Sequence, residues 1–374
     1  MTYSRIAQHA SMLFDANRNR AYADAIARAV RPGSAVMDLG AGLGIHGLLA
    51  AAAGARAVYL VEPEPVVNAA MQVASIARLS NRVHMVRGRV EEVALPEPVD
   101  VIVSVFTGNL LFNEDLIPSL LFARDRYLKT GGALLPGRAE LWLAPIDAVA
   151  LHHKYIARWS EPVMGFDYSI GRASVANEIQ SLRREELAGI SRLSPGCMAV
   201  EVDFMSVRNA DCAAATTCVA ERSGTCHALL AWLRLQLGST WLSSDPDSPE
   251  IHWTPVMLPL DPPLPIRAGE ELRLELTRPA FGDWSWVAYA EAGTRRHSSF
   301  LARSEGPRDL ARLAPAGASA LSPRGERARH ILERMASGAT HESIARELAD
   351  SAGLAPAEAL REVQALALKY GQAQ

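Results

Sequence analysis

A chain of 374 residues is long enough for two or three domains of about 150 residues each. Hydrophobic residues make up 49% and charged residues 21%, which excludes a wholly disordered or collagen-like protein. A formal net charge of −3 gives no global electrostatic reason to bind nucleic acid, and the only lysines, Lys129, Lys154 and Lys369, leave few candidates for catalytic-lysine chemistry.

Arg5, Asp15 and Arg18 rule the N-terminus out as a signal peptide. The most apolar stretch, 43–61, is broken by His46, Gly54 and Arg56, so no membrane span is expected. Residues 35–39, 58–61, 83–87, 99–103 and 133–135 read as short strands. They alternate with helical patterns over 45–53, 65–79 and a stretch ending near Leu128. That alternation predicts a doubly wound α/β domain with a parallel sheet over residues 1–146. Past Pro145 the pattern changes: Val200, Val202 and Phe204, then Leu272, Leu274 and Leu276, recur at the period of two expected of half-buried antiparallel strands. Cys197, Cys212, Cys218 and Cys226 form no CxxC pair and no zinc spacing; they read as reduced, buried thiols of a cytoplasmic protein, with one disulfide pair as the alternative reading. No histidine cluster has metal-ligand spacing, so no metal is expected.

Residues 304–325 are rich in Ala, Gly, Pro, Ser and Arg, as suits a linker. A helical tail follows over 326–374. Ile331, Leu332 and Met335 form one apolar face, Gly338 stops that helix, Thr340 caps the next, Ile344 and Leu348 form its inner face, and Leu354 to Pro356 turn into a third.

The chemistry is concentrated after the first strand, where Asp38, Gly40, Gly42 and Gly44 precede a helix. Glycines let the backbone pass close under a ligand, and the helix N-terminus favours its polar groups. Glu62 ends the second strand, where a carboxylate can accept both hydroxyls of a ribose. The DxGxGxG spacing with an acidic second-strand end points to S-adenosyl-L-methionine before NAD.

At these residues the chain resembles the protein arginine methyltransferase family. Met12, Leu13, Asp15 and Arg18 match its N-terminal element, and Val36 to Gly44 match its first methyltransferase motif. Gly88, Val90, Glu91, Glu92 and Val93 match its adenine-facing stretch, and Ala123 to Pro136 the end of its catalytic domain. Gly165 to Asp167 and Ser248 to Trp253 match its barrel and its Thr-His-Trp loop, so the similarity runs over residues 3–276. The resemblance implies a Rossmann-like class I methyltransferase domain, then an antiparallel β-barrel over 147–303 with a dimerisation arm near 159–192, and a small helical C-terminal domain. It implies a homodimer and a peptide or protein substrate, with no metal, nucleic acid or membrane. Arg18 would hold the methionine carboxylate, Asp38 and Gly40 the methionine end, Glu62 the ribose and Glu91 the adenine. Met12, Gly42, Gly44 and Val90 complete the cofactor set.

The substrate loop departs from the family. The family's double-Glu loop begins Ser-Glu-Trp-Met-Gly, whereas here it reads Ser104, Val105, Phe106, Thr107, Gly108, then Asn109, Asn113 and Glu114. The second glutamate survives as Glu114 and the first has become Val105, so half of the clamp around a guanidinium is missing. One carboxylate beside an apolar wall suits a neutral nitrogen such as an imidazole, because it can fix the tautomer and leave the other nitrogen to attack. The expected acceptor is therefore a histidine or an arginine side chain, in a protein or a ribosomally made natural-product precursor peptide. Ser104, Val105, Phe106, Asn109, Asn113 and Trp253 would line its pocket. Asp15 and His252 would form an Asp–His pair that takes up a proton or positions Glu114. The alternatives are a small-molecule N- or O-methyltransferase and a non-catalytic cofactor-binding protein. The tail resembles the helical half of a PqqD-type peptide-recognition domain, with a winged-helix-like remnant as the other reading.

Overall fold

Strands β1 (Ala35–Leu39) and β2 (Ala57–Glu62) bury every side chain, as their unbroken apolar runs require of a sheet covered on both faces. With β3 (Val83–Arg87), β4 (Val99–Ser104) and β5 (Leu128–Leu135) they form a parallel sheet in the order β3–β2–β1–β4–β5. Helices α1 (Ala10–Leu13) and α2 (Ala16–Ala29) precede it. The connections carry α3 (Ile45–Ala52), α4 (Val67–Ile76) and α5 (Ile117–Tyr127). The chain leaves β1 toward β2 on one side and returns as β4 on the other. The carboxyl ends of β1, β2 and β4 therefore open one crevice, the place where such sheets bind ligands. The computed structural model describes residues 5–371 except 304, 315 and 318.

The chain enters its antiparallel half earlier than expected. Strand β6 (Arg138–Asp147) runs through the expected boundary at 146, with Ala139 opposite Leu235 and Ala144 opposite Leu230 of a later strand. The segment that includes the expected arm at 159–192 follows: α6 (Val149–Tyr155), 3-10 turns at Ala157–Ser160 and Ser169–Gly171, α7 (Arg172–Val175), β7 (Gln180–Ser181), α8 (Arg184–Leu187) and β8 (Ser191–Arg192). Strands β9 (Cys197–Asp203), β10 (Cys212–Val219), β11 (Gly224–Leu237), β12 (Thr240–Ser243), β13 (Val256–Ile266), β14 (Glu271–Arg278), β15 (Ser285–Ala290) and β16 (Gly293–Ser298) complete it. One sheet runs β7–β13–β11–β6–β8, with β12 on β11 and β9 on β6; the other runs β10–β14–β15–β16. Strand β14 alternates buried and exposed residues, so Leu272, Leu274 and Leu276 face inward as their spacing predicts.

At the base of the arm, Arg172 donates through Nε and Nη2 to both oxygens of Asp261 (2.9 and 2.8 Å), and His152 Nε2 lies 3.1 Å from Asp261 Oδ1. Beyond that clamp Val163, Met164, Phe166, Tyr168 and Ile170 are exposed.

The cysteine expectation is corrected for one pair. Cys197 and Cys218 form a disulfide, while Cys212 and Cys226 are free and buried. The partners sit on β9 and β10, strands of different sheets that barrel closure brings side by side. Spacing along the chain carries no trace of that closure.

The chain divides into two units, Met1–Ser304 and Glu305–Gln374. In the second, α9 (Pro307–Leu313) lies inside the stretch expected to be linker, and α10 (Pro323–Ala336) begins three residues before the expected 326. Then come α11 (His341–Ala352) and α12 (Pro356–Tyr370). Thr340 Oγ1 accepts the Ser343 amide (3.2 Å) as the N-cap of α11, and Gly338 and Gly353 take left-handed φ at the two helix ends. Ile331, Ile344, Leu348 and Val363 close a small core. Among the described residues this unit has no strand, so the strand half of a PqqD-type domain is not found there.

Replacing Cys197 and Cys218 by serine removes a crosslink across 21 residues of chain and should destabilise the first unit by about 3 kcal/mol. Thermal unfolding with and without reductant checks this: reductant should lower the wild-type midpoint and leave the double variant unmoved.

Candidate functional site

Asp15 sets the geometry. Its Oδ1 accepts the Arg18 amide (2.9 Å) as the N-cap of α2, and its Oδ2 accepts the His252 backbone amide (2.7 Å) from the loop between β12 and β13. One carboxylate thus ties the start of α2 to a barrel loop 237 residues away. The expected Asp–His side-chain pair is corrected accordingly: both oxygens of Asp15 take backbone amides, and the His252 ring leaves Nδ1 buried and without a partner. A short acid at a helix start is drawn to free backbone N–H groups, which is why the imidazole loses the competition.

One and two turns further along α2, Arg18 and Tyr22 face the sheet. Arg18 is only 2% exposed, and its Nε and Nη1 are buried without partners. Its guanidinium lies 5.9 Å from the centre of the Trp253 ring. Desolvation lowers its pKa from the usual value, with Tyr22, Asp15 and Asp38 pulling the other way. Tyr22 donates its hydroxyl to the Ser104 carbonyl (3.0 Å), linking the helix to the end of β4.

At the end of β1, Asp38 is buried, and its Oδ2 accepts the Gly47 amide of α3 (2.7 Å). Burial pushes its pKa up to about 7, against the pull of that amide and of Arg18, while Glu62 adds to the rise. Gly40, Gly42 and Gly44 all have left-handed φ. A Cβ on Gly40 would collide with the Phe106 ring, and one on Gly42 would lie 2.9 Å from the His9 ring. Glu62, at the end of β2, accepts the Gly42 amide through Oε2 and the Glu64 amide through Oε1, both at 2.9 Å. Burial raises its pKa; the two amides and His9 oppose the rise. Met12 is half-buried on α1 and Val90 is buried after β3; Glu91 accepts a hydrogen bond from the Ser119 hydroxyl.

The loop after β4 is fastened to the barrel. Phe106 N donates to Ser104 Oγ (3.1 Å), Trp253 Nε1 donates to the Thr107 carbonyl (2.6 Å), and Thr254 N donates to Asn109 Oδ1 (3.0 Å). Asn109 Nδ2 returns a bond to Thr254 Oγ1 (3.0 Å), and Asn113 Oδ1 accepts the Leu110 amide (3.2 Å). Val105 is half-buried against the apolar core. Glu114 reaches solvent, yet the protein crowding its carboxyl raises its pKa by desolvation. Its neighbour Asp115 accepts Arg278 Nη2 (2.8 Å) and the Phe281 amide (2.8 Å), and Arg278 Nη1 donates to the Phe112 carbonyl (2.9 Å). Burial and the nearby Arg18 push His252 down to about 4 despite Asp15, so its imidazole is neutral.

The structure therefore gathers Arg18, Asp38, the glycine loop, Glu62, His252 and Trp253 around the crevice. Sequence reasoning missed His9 over Gly42, Tyr22, and His46, whose ring lies 4.3 Å from that of Tyr22. Tyr22 had a usable signal, its spacing of four from Arg18 on one helix face. Asp115 and Arg278 carried none, because their pairing exists only once barrel and loop meet. Among the described residues no three His, Cys, Asp or Glu are grouped to hold a metal ion, and no helix is long and apolar enough to cross a membrane.

The family model described as the arginine methyltransferase oligomerization subdomain matches residues 137–281. The chain is 32% identical over 294 residues to protein arginine N-methyltransferase 1 of Schizosaccharomyces pombe, covering 75% of this chain and 85% of that protein. It is 30% identical over 291 residues to protein arginine N-methyltransferase 6 of Danio rerio, covering 74% and 82%. The fold is similar to that of a chain in the Trypanosoma brucei PRMT1 enzyme–prozyme heterotetrameric complex with AdoHcy, at a TM-score of 0.72 and 24% identity, covering 80% of this chain and 99% of that one.

The His252 imidazole should titrate near 4 by NMR, and Asp15→Asn should move it lower, because the Asp15 charge raises it. A histidine depressed from its usual 6.5 stabilises the fold fully above that value. This contribution is lost as pH falls from 6.5 through about 4. Asp15→Ala removes the cap as well, at a further cost of about 1 kcal/mol.

Proposed function

The chain belongs to the protein arginine methyltransferase family, and from that premise we propose that it transfers a methyl group from S-adenosyl-L-methionine to a side-chain nitrogen of a peptide or protein. One observation carries the cofactor reading: a buried guanidinium with unpartnered N–H groups lies within electrostatic range of Asp38, whose strand runs into the glycine loop. A buried cation of this kind calls for an anionic ligand group. Bound there, the cofactor supplies an electrophilic methyl on its sulfonium.

The residues divide the work. Arg18 pairs with the ligand carboxylate, and Asp38 lies within electrostatic range of it for the ammonium. Glu62, held by two amides, keeps lone pairs for ribose hydroxyls, and Glu91 faces the adenine. Met12, Val90 and Phe106 supply apolar walls. On the acceptor side Glu114 takes a hydrogen bond from the attacking nitrogen and orients its lone pair. Because the protein crowding its carboxyl raises its pKa, transfer should increase with pH through a value higher than that of a free glutamate. His252, neutral and with a partnerless Nδ1, either takes up the proton that the nitrogen sheds or helps to position Glu114; its depressed pKa makes it a weak base and favours the second role. Asp15 is a positioning residue that holds the His252 backbone.

The relatives are named arginine N-methyltransferases, which makes a guanidinium the first acceptor to test. Val105 favours a second reading, the imidazole of histidine, because only one carboxylate of the clamp remains. Truncating one partner of a desolvated charge pair typically costs about 2–5 kcal/mol. The exposed arm residues Val163, Met164, Phe166 and Ile170 would be covered by a second copy in a homodimer.

Peptides carrying a single arginine or a single histidine, incubated with labelled cofactor and mapped by fragmentation, test this. Glu114→Gln should lower kcat by about 100-fold or more with cofactor affinity unchanged. Val105→Glu should raise arginine methylation by about tenfold relative to histidine; no change would sink the role given to Val105. Met164→Glu with Ile170→Glu should convert the dimer to monomer in sedimentation, while each monomer still binds cofactor.

A further inference from the structure

We propose that His46 binds the amino-acid end of the cofactor, donating Nε2–H to the carboxylate that Arg18 pairs with. The proposal rests on the cofactor reading above. His46 is the second residue of α3, directly after the glycine loop, and is only 4% exposed. Its ring lies against that of Tyr22, centroids 4.3 Å apart, and Tyr22 sits one helical turn from Arg18 on the same face of α2. The next residue, Gly47, is fastened through its amide to Asp38. Arg18, Tyr22, Asp38 and His46 therefore form one buried cluster at the carboxyl end of β1.

Within that cluster the Nε2 of His46 and the Nε and Nη1 of Arg18 have no partner. Buried polar atoms left without partners are rare, and each calls for an explanation such as a ligand. An apolar side chain would fill the space beside Tyr22 without stranding a ring nitrogen, so packing alone does not account for an imidazole. Burial and the Arg18 charge push the His46 pKa down to about 3, which leaves the ring neutral with a single N–H. Accepting from the ligand ammonium would draw a second cation toward Arg18. Donation to the carboxylate instead completes the donors that face the anion, and makes the site demand a free carboxylate.

Calorimetry on the full chain tests this with two probes: S-adenosylhomocysteine, which has the amino-acid end, and methylthioadenosine, which lacks it. His46→Leu and His46→Phe remove the N–H while filling the space, and His46→Asn keeps a donor. The Leu and Phe variants should bind S-adenosylhomocysteine roughly tenfold more weakly and methylthioadenosine unchanged, with Asn recovering part of the loss. Equal weakening toward both probes means that His46 serves the fold alone, and unchanged S-adenosylhomocysteine affinity means that it does not touch the ligand. Either result overturns the proposal while leaving the cofactor reading intact. Failure of the wild type to bind either probe overturns both.

Discussion

Two backbone amides, one from the first turn of α2 and one from a barrel loop, converge on the carboxylate of Asp15. The crevice depends on that convergence. It places Arg18 under Trp253, and it holds His252 where its ring faces inward. A carboxylate accepting two N–H groups is well satisfied, so this joint does not need a salt bridge. Trp253 extends it, since its indole N–H holds the Thr107 carbonyl of the loop after β4. The cofactor side and the acceptor side are thus fastened through the same barrel loop.

The joint matters because the site buries charge. Arg18, Asp38, Glu62 and His46 are all nearly or fully removed from water. Desolvation drives each toward its neutral form: down for Arg18 and His46, up for Asp38 and Glu62. Backbone amides from the glycine loop and α3 offset part of that cost for the two acids. Nothing among the described residues offsets it for the Nε and Nη1 of Arg18. A zwitterionic amino-acid group has the charges to complete such a cluster, which is the physical content of the cofactor assignment.

The acceptor loop shows a different balance. Its backbone is held by Tyr22, Trp253, Thr254 and Arg278. Glu114, in contrast, meets solvent with a single carboxylate, beside Asp115, which is already committed to Arg278 and Phe281. Asp115 is therefore no substitute for the glutamate missing at Val105. The loop is thus held by backbone and amide hydrogen bonds to the barrel, with Glu114 left as the carboxylate that meets solvent.

The local elements could be read from the chain because their physics is local. Buried strands are short apolar runs, and β1 and β3 fall on their expected residues. The glycines after β1 follow from a left-handed turn that other side chains resist, and Thr340 and Gly338 mark helix ends by the hydrogen bonds they satisfy or avoid. Asp38 and Glu62 stand out by residue type and spacing, and Arg18 through the family resemblance; the structure buries all three. The tertiary structure alone decided the rest: β6 as a barrel strand, the Cys197–Cys218 crosslink, Asp15 on an amide in place of an imidazole, and His46 beside Arg18. Each depends on which distant segments meet and which polar atoms are then left without water. Composition and periodicity do not encode that outcome, because it is set when the sheet and the barrel close on one another.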